Sequence, residues 1–232
     1  MSGKIIAVGN LKGGTGKSTV AINLACALRN GGKATVAVVD ADGQGTASDW
    51  GAKGQLGLTV HALPFEETQG TGHGASHADG VESGGAANWG AVVDGLKADH
   101  DFVVIDLPPQ LSDAILKALV AANLFVVPVT ASGADLKATT KAIELLQRAR
   151  ALRDDGRPAC LLVPSRVDRR TAAGKEIEAV LHDFGEPVAP AIGQRTAHVD
   201  AFTAGEWVGS YAPRSAAHGE IEVLAAIVKR VK

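Results

Sequence analysis

The chain of 232 residues carries only two cysteines, and neither has a C-x-x-C neighbour, so no thiolate metal centre or dithiol redox site is expected. Cys26 falls in an apolar helical run and Cys160 near the head of an apolar strand, which reads as core packing. No apolar run approaches the roughly eighteen residues that a membrane span needs. The opening MSGKIIAV enters an apolar strand at once and leaves no room for a signal peptide, so a cytoplasmic protein is expected. A surplus of positive charge is missing as well: 23 Lys and Arg face 25 Asp and Glu, for a net charge of −2, which does not announce a nucleic-acid binder. The balance is uneven, with 9 basic and 13 acidic groups in residues 1–140 and 14 and 12 in residues 141–232. Any DNA surface is therefore expected as a local patch in the C-terminal part.

The length and the 46% hydrophobic content suit one sizeable domain, residues 1–232. Its strongest local signal is KIIAVGNLKGGTGKST (4–19), where an apolar strand breaks into glycines and runs into the apolar helical stretch VAINLACAL (20–28). Glycines at such a strand-to-helix turn let successive N–H groups converge on an anion, and the helix N-terminus adds its partial positive charge. Gly13, Gly14, Thr15, Gly16, Lys17, Ser18 and Thr19 are thus read as a phosphate-binding loop. Lys17 is expected to reach the β- and γ-phosphates of a nucleotide, with the Ser18 hydroxyl on Mg²⁺. The usual G-x-x-x-x-G-K-[ST] pattern asks for glycine where this chain has Leu11.

Lys12 adds a further feature. K-G-G-x-G-K-[ST]-T resembles the deviant Walker A loop of the ParA/MinD group of P-loop ATPases, in which the first lysine crosses a dimer to the partner's nucleotide. The resemblance gives Lys12 that role. ATVAVVD (34–40) is an apolar run ending on an acid, and VDADGQGT places Asp40 and Asp42 at the strand's carboxyl end, where open parallel sheets bind ligands. It resembles the family's D-x-D-P-Q switch. By that likeness Asp42 orients the attacking water and Asp40 supports the metal, with Gly43 in the place of proline predicting a looser loop. DFVVIDLPP (101–109) has the Walker B arrangement, its Asp106 on the Mg²⁺ shell, followed by a D-x-P-P-like γ-phosphate sensor.

The remaining pattern is strand and helix in alternation: LTVHAL (58–63), a helical stretch near 89–98, a helix at 111–122, a strand at 123–130, a long amphipathic helix at 134–152, a strand and helix within 159–181, and a final strand PVAPAI at 187–192. It predicts an α/β fold, a mostly parallel twisted sheet with helices on both faces. Residues 64–90, with seven glycines, read as a flexible insertion loop, and His61, His73 and His77 as solvated rather than metal-binding. S-R-V-D-R-R-T (165–171) resembles the family's loop near the adenine, with Ser165 where relatives often have asparagine or threonine.

The ending, from AIGQR through A-x-x-E-I-x-x-L, resembles the compact ParF-like branch of ParA proteins, without an N-terminal helix-turn-helix. The resemblance implies a slow Mg²⁺-ATPase that forms a homodimer with ATP, binds DNA without sequence preference on the nucleoid, and segregates plasmid or chromosomal DNA when a ParB-like partner stimulates hydrolysis. Candidate DNA contacts are Arg195, Arg214, Lys229, Arg230 and Lys232. A positioner of a protein cargo such as a carboxysome or chemoreceptor cluster, acting through an adaptor, stays open as an alternative. So do a MinD-like membrane-cycling ATPase and a small-molecule enzyme of the dethiobiotin-synthetase kind, though Lys12 speaks against the last. The terminal stripe Ile221, Leu224, Ile227, Val228 and Val231 lacks Phe or Trp to enter a membrane interface, so core packing is expected there and no membrane partner.

Overall fold

A computed structural model describes residues 3–65, 84–110 and 112–231. Six parallel strands form one sheet in the order β3-β2-β4-β1-β5-β6. They are β1 (Lys4–Val8), β2 (Val36–Asp40), β3 (Thr59–Ala62), β4 (Phe102–Asp106), β5 (Leu124–Val129) and β6 (Ala159–Pro164). The central strands read as unbroken apolar runs because helices cover both faces, so both parities of side chain must be apolar. Ile6, Val8, Val104, Leu124 and Val126 enter one core. Ile5, Ala7, Val103, Ile105, Phe125 and Val127 enter the other.

The first core lies under α1 (Lys17–Arg29), α2 (Thr46–Ala52), α7 (Thr196–Ala204), α8 (Val208–Tyr211) and α9 (Ala216–Arg230). The second lies under α3 (Gly84–Asp99), α4 (Asp113–Ala121), α5 (Gly133–Ala151) and α6 (Ala172–His182). α1 follows β1 through the glycine loop and is buried at almost every position, which explains why its sequence lacks a polar face. Asn23, fully buried in it, donates to the Thr19 carbonyl and accepts from the Val208 N–H, both at 2.8 Å. This pair pins the C-terminal segment against the helix that begins at the phosphate loop.

Two expectations need correction. The helix before β4 begins at Gly84, so the predicted loop ends earlier than residue 90; Trp89 stacks on Phe65 with ring centroids 5.0 Å apart and donates to the Leu63 carbonyl at 3.2 Å. Residues 66–83, including His73 and His77, lie outside the described residues. PVAPAI is no strand: within it only Val188 makes an isolated bridge, with Leu162, and a second, Val167 with Gly193, falls just beyond it. The Leu162 N–H donates to the Pro187 carbonyl at 2.9 Å and the Ala189 N–H to the Leu162 carbonyl at 2.8 Å. Pro187 has no N–H to give β6, however, and Pro164 in β6 has none to give back, so no regular ladder extends from them.

The apolar stripe of α9 is used internally. Ile221, Leu224, Ala225 and Val228 are buried in the core shared with α1, and the Lys4 ammonium donates to the Val231 carbonyl at the helix end. Truncating one such buried aliphatic to alanine costs roughly 2–5 kcal/mol, so this face is committed to the fold. Among the described residues no helix is long and apolar enough to cross a membrane.

Candidate nucleotide-binding site

The loop after β1 crosses the carboxyl edge of the sheet. Gly14 and Gly16 have φ of 79° and 88°, a backbone that favours glycine, and a Cβ on Gly16 would lie 2.9 Å from the Ser165 hydroxyl. Leu11, where the common pattern has glycine, turns its side chain onto the second core. Lys17 is 7% exposed, and its ammonium donates to the Lys12 carbonyl at 3.2 Å. Burial lowers the Lys17 pKa, with Asp106 and Asp42 pulling it back up. Thr15 is buried with its hydroxyl lacking a partner. Ser18 and Thr19 sit in the first turn of α1. Such a cradle is polar, electropositive and unsatisfied in the absence of an anion.

Asp40 and Asp106 end neighbouring strands in the same register and are both 1% exposed. Their environments differ. Asp40 Oδ2 accepts from the Ser48 N–H at 2.7 Å and the Ser48 hydroxyl at 2.8 Å, while Oδ1 accepts from the Asp42 N–H at 3.2 Å. Neither oxygen of Asp106 has a hydrogen-bond partner. Burial pushes the Asp106 carboxyl up to about 7; the nearby Ser18 hydroxyl and Lys17 moderate the rise, and Asp40 and Asp42 add to it. A buried carboxylate left open beside Ser18 fits Mg²⁺, which takes one or two protein oxygens and completes its shell with water and phosphate. Among the described residues no group of three or more His, Cys, Asp or Glu could hold a metal.

Asp42 lies half-buried in the β2–α2 turn, where its Oδ1 accepts from the Gln44 N–H at 3.0 Å and its carbonyl accepts from the Gly45 N–H at 3.0 Å. These two bonds and the grip of Asp40 on the Asp42 N–H shape the turn where Gly43 stands in the place of proline.

Lys12 is drawn the other way. Its ammonium lies 2.9 Å from Asp135 Oδ1, and Asp135, 1% exposed, also accepts from the Thr130 and Ser132 hydroxyls. Burial works to raise the Asp135 carboxyl, but Ser132, Thr130 and Lys12 together hold it below its ordinary value. The phosphate loop, Asp42 and the segments 165–170 and 192–196 line a cavity of about 1130 Å³. Its far wall includes His198, Phe202 and Trp50.

The structure does not gather the five candidate DNA contacts. Arg195 lines the cavity in a two-bond pair with Glu220, at 2.6 and 3.1 Å, and Glu220 also accepts from the Gly193 N–H at 3.0 Å. Arg214 is exposed just before α9, whereas Lys229 and Arg230 are exposed at the other end of that helix, roughly 20 Å away by its rise per residue. Lys232 lies outside the described residues. Asp135, Arg166, Ser48, Glu220 and His198 were not singled out from sequence. A signal existed for the first, since Ser132-x-x-Asp135 is a helix-capping pattern before an amphipathic run, and the Ser132 hydroxyl does accept from the Asp135 N–H at 3.2 Å.

The family model of the CobQ/CobB/MinD/ParA nucleotide binding domain matches residues 6–207. The chain belongs to this family. It is 33% identical over 247 aligned positions to the chromosome-partitioning ATPase Soj of Thermus thermophilus, covering 98% of this chain and 96% of that one. It is 32% identical over 187 positions to the maintenance of carboxysome distribution protein A of Halothiobacillus neapolitanus, covering 79% and 76%. Among solved structures, the Pyrococcus furiosus cell division ATPase MinD superposes with a TM-score of 0.73 at 22% identity, covering 99% of this chain and all of that one. The six parallel strands with flanking helices are thus the fold of this ParA/MinD family, in a nucleotide-binding protein whose relatives partition or position cargo.

Proposed function

We propose that the protein is a Mg²⁺-dependent ATPase that dimerises around ATP, binds DNA without sequence preference in that state, and segregates plasmid or chromosomal DNA. The observation that carries this reading is the phosphate loop with two lysines at the sheet edge, facing an unpartnered buried Asp106. On binding ATP, Lys17 exchanges the Lys12 carbonyl for the β- and γ-phosphates. Lys12 leaves Asp135 for the partner's nucleotide, so two nucleotides are held between two copies. Ser18 and Asp106 would hold Mg²⁺, which when bound neutralises charge on the phosphate oxygens. Asp42 orients the attacking water, and the lysines stabilise charge on the transferring group. Losing the γ-phosphate is transmitted through Leu107-Pro108-Pro109 and loosens the clamp. Two weak basic patches, joined in one dimer, act at high effective concentration, which lets an acidic monomer yield a DNA-binding assembly. A ParB-like partner would accelerate the reset.

A second reading keeps the same ATPase and DNA surface but hands it a protein cargo through an adaptor. It is favoured by the similarity to carboxysome distribution proteins, 32% in Halothiobacillus neapolitanus and 34% in Gloeobacter kilaueensis. The deciding experiment for the shared core is binding to random duplex DNA with ATP·Mg²⁺, with ADP·Mg²⁺ and without nucleotide, across a salt series. Binding with ATP alone that weakens steeply with salt is the expected result. Absence of binding in all three states would overturn the DNA-based mechanism for either cargo.

A further inference from the structure

Four arginines line the cavity, and three of them are matched to carboxylates: Arg169 with Glu178, Arg170 with Asp168, and Arg195 with Glu220. Arg166 is different. Among the described residues it has no carboxylate partner; its guanidinium donates one N–H to the Gly14 carbonyl, in the phosphate loop, at 2.8 Å. A guanidinium has five N–H donors in a planar fork suited to carboxylate or phosphate, so most of this group's capacity is left over beside the anion cradle.

The backbone that presents it is costly. Arg166 has φ of 53°, in the left-handed region where residues with a side chain are rare. Both neighbours hold it there: the Ser165 N–H donates to the Val129 carbonyl at 2.8 Å, and the Val167 N–H donates to the Ile192 carbonyl at 3.0 Å. Ser165 is itself packed against Gly16, where a Cβ would come within 2.9 Å of its hydroxyl. The loop after β6 is therefore closed over the phosphate loop, and an over-determined left-handed residue aims its cation at that loop. Strain kept in this way marks functional positions.

From this we infer that Arg166 is a phosphate ligand of the nucleotide, a cation supplied by the β6–α6 loop in addition to Lys17. The inference rests on the nucleotide-binding reading of the same cavity. With Lys12 committed to Asp135 before ATP arrives, Lys17 and Arg166 are the cations that flank the loop in the single chain. Arg166 keeps one N–H on Gly14 and offers the others to the polyphosphate, so the base-side loop and the phosphate loop close on the ligand together.

The test compares wild type with Arg166→Gly and Arg166→Asn, two residues at ease with positive φ, so that loss of the guanidinium is not confounded with new strain. Binding of Mg²⁺·ADP is titrated at several salt concentrations, and unliganded thermal melting serves as the folding control. The expected result is ADP binding roughly ten- to a hundred-fold weaker in both variants, with a shallower dependence on salt and unliganded melting at or above the wild-type temperature. Unchanged ADP affinity in the variants overturns the inference while leaving nucleotide binding intact. Weaker binding with an unchanged salt dependence also overturns it, by making Arg166 a brace for the loop and not a ligand. If wild type itself binds no ADP or ATP, the nucleotide reading fails and takes this inference with it.

Discussion

Lys12 and Asp135 form an ion pair at 2.9 Å within one chain, so the lysine assigned to the partner's nucleotide is held at home by a carboxylate that is almost fully buried. Reaching across a dimer means breaking that pair, which leaves Asp135 to its Thr130 and Ser132 hydroxyls. Lys12→Ala should therefore lower the stability of the nucleotide-free chain by about 1–2 kcal/mol, a figure reduced for the partial exposure of Lys12. The same variant should still bind ATP but lose ATP-dependent dimerisation. Adding Asp135→Asn should restore most of the stability and none of the dimerisation. Urea unfolding and light scattering with ATP·Mg²⁺ read the two effects separately, and a Lys12→Ala protein that dimerises normally would refute the crossing role.

Asp42 has one observed role in the turn and one proposed role toward the attacking water, and they can be separated. Its Oδ1 accepts from the Gln44 N–H, so the carboxylate both shapes the turn and faces the cavity. Asp42→Asn keeps an oxygen for Gln44 but loses the negative charge proposed to orient water. Turnover should fall roughly 10²- to 10⁴-fold, the range for a positioned acid–base group, with nucleotide binding and dimerisation retained. Single-turnover phosphate release from the preformed dimer measures this, and an undiminished rate would remove Asp42 from the mechanism.

How much of this was legible beforehand depends on sequence distance. The glycine loop at a strand-to-helix turn and the strand-end position of Asp106 are readable because strand, glycines, Lys17 and the apolar run before the acid are local patterns that do not depend on what packs against them. The α/β class followed from alternating strand and helix signals. Lys12 with Asp135, Arg166 with Gly14 and Arg195 with Glu220 were not readable, since each joins segments far apart in the chain through a fold that had to exist first. The left-handed backbone of Arg166 has no compositional trace at all; position 166 would be filled by glycine or asparagine if ease of folding alone decided it. The hydrogen bonds that shape the turn around Gly43 come from the Asp40 and Asp42 side chains, and the missing proline by itself does not reveal them.

His198 gives the site a dependence on pH. It is 9% exposed with neither ring nitrogen hydrogen bonded, and burial holds its pKa below 6.5, Glu220 pulling it up and Arg195 pushing it down. Well above 6.5 the imidazole is neutral in both folded and unfolded chains. Below 6.5 the unfolded chain takes up the proton first, so stability falls with pH until the folded imidazole also titrates. His198→Gln cannot charge and should lose less stability than wild type between about pH 7 and 5. Parallel denaturation curves across that range check the difference, and identical slopes would mean that this imidazole titrates in the folded protein as it does in the unfolded chain.

The proposed DNA contacts can be ranked by what already neutralises each cation. Arg195 shares two hydrogen bonds with Glu220, whereas Arg214 has an exposed side chain and no carboxylate partner among the described residues. A cation without a counter-charge displaces more of the ion atmosphere on meeting a phosphate. With ATP·Mg²⁺, Arg214→Asn, which suits the φ of 64° at that position, should weaken binding to random duplex DNA and reduce the salt slope by about one per copy. Arg195→Ala should do less, and Glu220→Gln should strengthen binding by freeing Arg195. Because Lys229 and Arg230 sit at the opposite end of α9, replacing both by alanine separates a compact contact near Arg214 from one that runs the length of the helix. A double variant with wild-type affinity would confine the DNA to the end of the helix that adjoins the nucleotide cavity, where occupancy of the phosphate loop can govern it most directly.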